Sequence, residues 1–209
     1  MPIMGGISNV ARNLKGMVGV NNVARKIKKG FYGDGNGVAR QFYKSTLPPV
    51  KVASNVTSGT FDISQYRLKN TDNFIIDVKN GDLNCGRTLR NVSITVSKSI
   101  SGNTLTVSAK TICTLGDLYW EGSFTFDIWY IEDPTNRYLG NSPVDITGKS
   151  NNIVDYACEP QYCSGYSASP DYTGGRISRS ISGNTLTATA TVYSSRDLAT
   201  SNSKIYYLA

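Results

Sequence analysis

Asn91-Val92-Ser93-Ile94-Thr95-Val96-Ser97-Lys98-Ser99-Ile100-Ser101-Gly102-Asn103-Thr104-Leu105-Thr106-Val107-Ser108-Ala109-Lys110 specifies a β-hairpin. Val92, Ile94, Val96 and Ile100 alternate with Ser93, Thr95, Ser97 and Ser99, and Leu105, Val107 and Ala109 alternate with Thr106, Ser108 and Lys110. A period of two sends apolar and polar side chains to opposite faces of a pleated strand, so both runs read as half-buried strands. Ser101-Gly102-Asn103 between them is a compact hairpin signal.

The same pattern extends outward. Phe124, Phe126, Ile128 and Tyr130 alternate with Thr125, Asp127 and Trp129, and further strand-like runs are Phe74 to Val78, Arg176 to Ile181, Leu186 to Val192 and Ile205 to Leu208. Abundant Thr, Ser, Val, Ile and Tyr, with few Leu, Glu and Met, favour pleated strands over helices. The octet Ser99 to Thr106 recurs identically at Ser180 to Thr187, 81 residues on. Either two related domains stand in tandem, or one sandwich of eight or so strands uses the hairpin in each half. Divergence around the match favours the single sandwich. The expectation is an all-β chain whose residues 50–209 form a β-sandwich body, jelly-roll or Ig-like, with any related halves at about 50–130 and 131–209.

The net charge of +7 sits at the front: residues 1–50 carry eight Lys or Arg against the one acid Asp34, and the other 159 carry fourteen of each sign. A local basic cluster steers a segment towards nucleic acid, anionic lipid or an acidic protein surface. No run approaches the roughly 18 apolar residues of a membrane span, and no signal-peptide pattern opens the chain. Membrane insertion is therefore not expected, and the chain reads as made in the cytoplasm. Cys85, Cys113, Cys158 and Cys163 then read as reduced thiols. The spacing of Cys158 and Cys163 falls outside the usual zinc-ligand pairs, so no metal is expected.

The basic segment, residues 1–49, is repetitive. Asn9-Val10-Ala11-Arg12, Asn22-Val23-Ala24-Arg25 and Gly37-Val38-Ala39-Arg40 are three copies of one phrase. Asn-Asn and Asn-Gly tolerate positive φ and mark tight turns, so each unit reads as a small hairpin. The rival is a short helix capped by Asn22 and stopped at Gly30. Isolated hairpins are marginal in water, so the segment needs a partner. Its candidate docking side chains are Arg12, Arg25, Lys26, Lys28, Lys29 and Arg40 with the aromatics Phe31, Tyr32, Phe42 and Tyr43. Pro48-Pro49 is a plausible hinge to the body.

The run Gly16 to Tyr43 resembles a repeat of virion and tail-associated proteins of phages and prophages of Gram-positive hosts, which often read Gly-Val-Asn-Gly-Val-Ala-Arg followed by Lys-x-Lys-Lys. Here Asn22 replaces the second glycine, and Asp34-Gly35 is inserted. The resemblance covers 28 of the 209 residues and implies a particle component located in the virion. Such a protein would dock through its repeats as a tail, baseplate-associated or surface-decorating part. Its expected partners are other virion proteins and copies of itself. A capsid-decoration or head-tail connector role is an alternative.

Asn151 to Gly175, rich in Ser, Gly and Pro, reads as a long connection and carries Tyr156, Tyr162, Tyr166 and Tyr172. Tyrosine with Ser and Gly is a binding-surface composition, and stacked rings suit a host cell-surface glycan, so receptor binding is the other function to weigh. Packing of these rings on their own sheet is the plainer reading. No histidine occurs, which removes the commonest general base and the usual catalytic triads. The carboxylates Asp127, Glu132 and Asp133 surround the turn-like Pro134-Thr135-Asn136. No phosphate-binding glycine loop is present. An enzyme is not expected, nor is a cofactor. Nucleic-acid binding is disfavoured because the aromatics of the basic segment fall at repeat positions that packing explains.

Overall fold

A computed structural model describes the backbone of residues 17–20, 23–26, 29–33 and 39–44, together with residues 47–87, 89–168 and 172–209. The chain divides into two compact units between Thr46 and Leu47. In the first, β1 (Met17–Val20) pairs antiparallel with β2 (Val23–Lys26), and β3 (Lys29–Gly33) with β4 (Ala39–Lys44). Val23–Lys26 is extended, where a short helix was the rival. The first repeat copy, Asn9 to Arg12, lies outside the described residues.

Among its described residues the second unit is all-β apart from two single 3-10 turns, Thr71–Asn73 and Ile153–Asp155. Its first eight strands are β5 (Val50–Val56), β6 (Ser58–Asp62), β7 (Phe74–Val78), β8 (Gly81–Gly86), β9 (Asn91–Ser101), β10 (Thr104–Leu115), β11 (Leu118–Ser123) and β12 (Phe126–Tyr130). Eight more follow: β13 (Tyr138–Asn141), β14 (Val144–Asp145), β15 (Tyr156–Glu159), β16 (Cys163–Tyr166), β17 (Thr173–Ser182), β18 (Thr185–Tyr193), β19 (Asp197–Asn202) and β20 (Lys204–Tyr207).

The two sets of eight have one hydrogen-bonding plan. The three-stranded sheet β5-β12-β7 matches β13-β20-β15, and the run β11-β10-β9 with β6 on β10 matches β19-β18-β17 with β14 on β18. The duplicated octet forms the tip of each long hairpin, with Ser101 opposite Thr104 and Ser182 opposite Thr185. Gly102 and Gly183 take φ of 58° and 57°, a left-handed conformation that costs glycine nothing at the first turn position. Even the approach to the hairpin repeats. Asp62 receives the Ser64 N–H at 2.8 Å and Asp145 the Thr147 N–H at 2.9 Å. The residues between, Ile63 and Ile146, both donate at 2.8 Å to the turn carbonyls of Asn103 and Asn184.

One strand of each half crosses to the other. β8 closes the edge of the second half's sheet by pairing with β17, and β16 closes the first half's by pairing with β9. The halves are thus related in plan but are not separable modules, because each five-stranded sheet draws strands from both. The main core joins Phe74, Ile76, Val92, Ile94, Phe126 and Ile128 to Ile177, Ala190 and Val192. A smaller cluster gathers Ile146, Tyr156, Cys158, Leu186, Ala188 and Ile205.

Three expectations are corrected. Asp127 was placed on the outward face by alternation, yet it is 4% exposed, because lysines reach over it from neighbouring strands. Asn151 to Gly175 is no long connection but contains β15 and β16. β15 is covered on both faces, so Tyr156–Glu159 is buried throughout and shows no alternation. Cys85 and Cys113 are joined by a disulfide, with Cα atoms 6.2 Å apart, a separation that fits an ordinary bridge. The expected reduced state applies to buried Cys158 and Cys163 alone.

Candidate functional site

Chemistry-bearing side chains of the body gather in two places. The first is where β7 and β15 meet. Asp77 on β7 accepts from Arg179 at 2.6 Å, from Lys79 at 2.9 Å and from the Cys158 N–H at 2.9 Å. Glu159, at the matching position of β15, accepts from Lys98 at 2.8 Å and from the Ile76 N–H at 3.2 Å. Asp127 beside them accepts from Lys51 and Lys79, both at 2.9 Å, and from the Asn55 N–H at 2.9 Å. Asn55 sits at φ 53°, where the irregular pairing of β5 with β12 turns its amide inward. Burial acts to raise the Asp127 pKa, but the two ammonium groups and the Asn55 amide outweigh it and bring the carboxyl down to about 2.

This cluster is saturated with internal partners, which is what buried charge requires. Glu132 is likewise held by Arg67 at 2.6 Å and Asp133 by Asn136 at 2.7 Å. Pro134 to Asn136 lies within a turn, closed by Arg137 and Tyr138 N–H groups on the Pro134 carbonyl. The three carboxylates considered as a catalytic cluster each have a structural partner instead. Among the described residues, no group of three or more His, Cys, Asp or Glu is arranged to hold a metal ion, and no helix is long and apolar enough to cross a membrane.

The second place is the outer face of the sheet β11-β10-β9-β16. Register places Tyr166 opposite Asn91, Asn91 opposite Thr114, and Thr114 opposite Tyr119. Two residues along, Ser164, Ser93 and Ile112 form a second row. Their neighbours Val92, Ile94, Thr111 and Cys113 point inward and are buried, so the alternation that fills the core also aims these residues outwards. A groove of about 460 Å³ lies here, lined by Asn91, Val92, Ser93, Ile112, Thr114, Tyr162, Ser164, Gly165 and Tyr166. No lining residue is charged.

The four tyrosines separate. Tyr156 is fully buried, its ring 5.4 Å from that of Tyr207 and its hydroxyl donating to the Ser150 carbonyl, so it belongs to the core and not to a binding surface. Tyr162 is 66% and Tyr166 56% exposed, beside the groove. Tyr172 is exposed as well and lies against the Arg87 guanidinium, 4.3 Å from ring centre to carbon. Tyr119 went unnoticed in sequence. Its signal was the turn Gly116-Asp117 after β10, which folds β11 back so that Tyr119 meets Thr114.

Of the candidate docking residues, Arg12 and Lys28 lie outside the described residues. Arg25 and Lys26 fall on β2, Lys29, Phe31 and Tyr32 on β3, and Arg40, Phe42 and Tyr43 on β4. No protein-family model, curated protein or solved structure matches the chain.

Proposed function

We propose that this is a bacteriophage virion structural protein, docked to the particle by its N-terminal repeats, as a tail, baseplate-associated or surface-decorating component. The observation that carries this reading is the coincidence of three boundaries. The repeats, the whole surplus of positive charge and a separate compact unit all end before Leu47. A basic segment of paired short strands with little apolar mass gains most by adding to another protein's surface. Its partners are then other virion proteins or further copies of the chain. We read the body as a sandwich whose layers are the two five-stranded sheets. This is supported by Gly175 on β17, where a Cβ would lie 2.3 Å from Thr111 Oγ1 on β10.

The test is incorporation. Phage encoding a chain that begins at Leu47 should yield particles lacking the protein, while the truncated body, purified, keeps the wild-type unfolding transition. Normal incorporation of the truncated chain would remove the docking role. A second reading, attachment to a host surface, is favoured by Tyr162 and Tyr166, which expose most of their rings beside a groove.

A further inference from the structure

We propose that the outer face of β11-β10-β9-β16 binds a neutral oligosaccharide along the row Tyr166, Asn91, Thr114 and Tyr119. This deepens the host-attachment reading and rests on it, independently of docking by the repeats.

The row has aromatic ends and a polar middle. Tyr166 and Tyr119 are 56% and 60% exposed. They stand three strands apart, roughly 14 Å at the usual inter-strand spacing, a distance that a short chain of pyranose rings covers. A sugar presents an apolar C–H face and a rim of hydroxyls. Tyrosine rings take the first, offering large contact area at small entropic cost. Neutral donors and acceptors take the second. Asn91 offers an amide whose only hydrogen bond among the described residues is a long one, 3.4 Å, to the Thr114 carbonyl. Ser93, Thr114 and Ser164 add hydroxyls, and Tyr162 flanks the same floor.

Charge excludes the obvious rivals. The lining has no Lys or Arg for phosphate or sulfate. The acid beyond Ile112, Glu121, is occupied by Lys110 at 2.8 Å and by the Tyr119 hydroxyl at 2.5 Å. That second bond also fixes the Tyr119 ring before any ligand arrives, lowering the entropy lost on binding. A nucleic acid would need basic contacts that the groove lining lacks.

The full-length protein, labelled on its tyrosine rings, should be titrated with cellotetraose, maltotetraose and chitotetraose and followed by NMR. At least one should shift the Tyr119, Tyr162 and Tyr166 resonances saturably and leave exposed Tyr138 unmoved. Tyr166→Ala should weaken binding about tenfold, the loss of one ring stack, and Tyr166→Phe should keep most of it. The inference is overturned if none of the three shifts these rings at tens of millimolar, or if Tyr119→Ala/Tyr166→Ala binds as the wild type does. Phage carrying the same double variant separate the two ideas. Saccharide binding that depends on these rings, with unchanged adsorption, leaves the glycan site and sinks host attachment. Lost adsorption without saccharide binding keeps attachment and overturns the ligand class.

Discussion

Arg179 Nη1 donates to Asp77 Oδ1 at 2.6 Å, a bond from the second half of the body to the first, and Lys98 returns it to Glu159 at 2.8 Å. The reciprocity extends to the backbone, where Cys158 N–H meets Asp77 and Ile76 N–H meets Glu159. These residues occupy matching places in the two halves, so one interaction is made twice about a common centre. Around it the aromatic pairs also match, with Phe74–Tyr130 and Tyr156–Tyr207 ring centres both 5.4 Å apart.

Removing Arg179 should be costly. Its side chain is 9% and that of Asp77 4% exposed, and breaking a buried pair from one side typically costs about 3–5 kcal/mol. Lys79 stays on the other carboxylate oxygen, which keeps Arg179→Met near the lower end. Urea midpoints of Arg179→Met, Asp77→Asn and the double variant measure the coupling. Strictly additive losses would show that the two charges do not sense each other.

Acid should unfold the body partly through Asp127. Its folded pKa is about 2, below the value near 3.9 of an unfolded aspartate. The contribution is therefore complete above about pH 5 and is lost as pH falls through 2 towards 1, on the order of 2–3 kcal/mol in all. Denaturation midpoints from pH 5 down to 2 should fall less steeply for Asp127→Asn than for wild type. Parallel profiles would contradict this.

The hairpins were legible in the sequence to the level of register. Counting back from the Ser101 to Thr104 turn pairs Asn91 with Thr114, as observed. The duplication was visible only as an octet, because the rest repeats in physics and not in letters. Asp62-Ile63-Ser64 and Asp145-Ile146-Thr147 build the same turn, and Arg179 stands where Lys98 does. β8 and β16 were hidden because Asn84, Cys85, Ser164 and Gly165 carry no strand signature. Their pairing comes from an edge offered by the opposite half, which no local pattern records. For the same reason Tyr166 could be named as a binding residue while its place beside Asn91 could not.

Reduction should loosen the first half. The Cys85–Cys113 bridge spans 28 residues and ties the exchanged strand β8 back to β10 of its own half. Closing a loop of that size stabilises by about 3.6 kcal/mol in the chain-entropy account. Cys85→Ser/Cys113→Ser should lower the urea midpoint accordingly. In native protein Cys158 and Cys163 should resist alkylation. Both are buried, and burial, with Asp77 adding to it, pushes the Cys158 thiol up to about 12. Modification of either thiol at the rate of an unfolded control would contradict the packing.

Neither half should fold as a monomer. A fragment of residues 47–133 keeps β8 but loses its pairing partner β17, and leaves the β9 edge bare where β16 belongs. It also loses Arg179 from Asp77 and the Ile177, Ala190 and Val192 side of the main core. The fragment 134–209 suffers the mirror-image losses. A hydrophobic core cut through its middle exposes more apolar surface than a chain of this length can leave in water and stay folded. The missing contacts, however, lie entirely on the other fragment, and the cut falls at the start of the turn that exposes Thr135 and Asn136. Mixing the fragments should therefore restore β-sheet circular dichroism and a one-to-one complex by sedimentation, with each alone unfolded or self-paired through its unsatisfied strand. A half that sediments as a cooperatively folded monomer would mean that the exchanged strands decorate two independent domains.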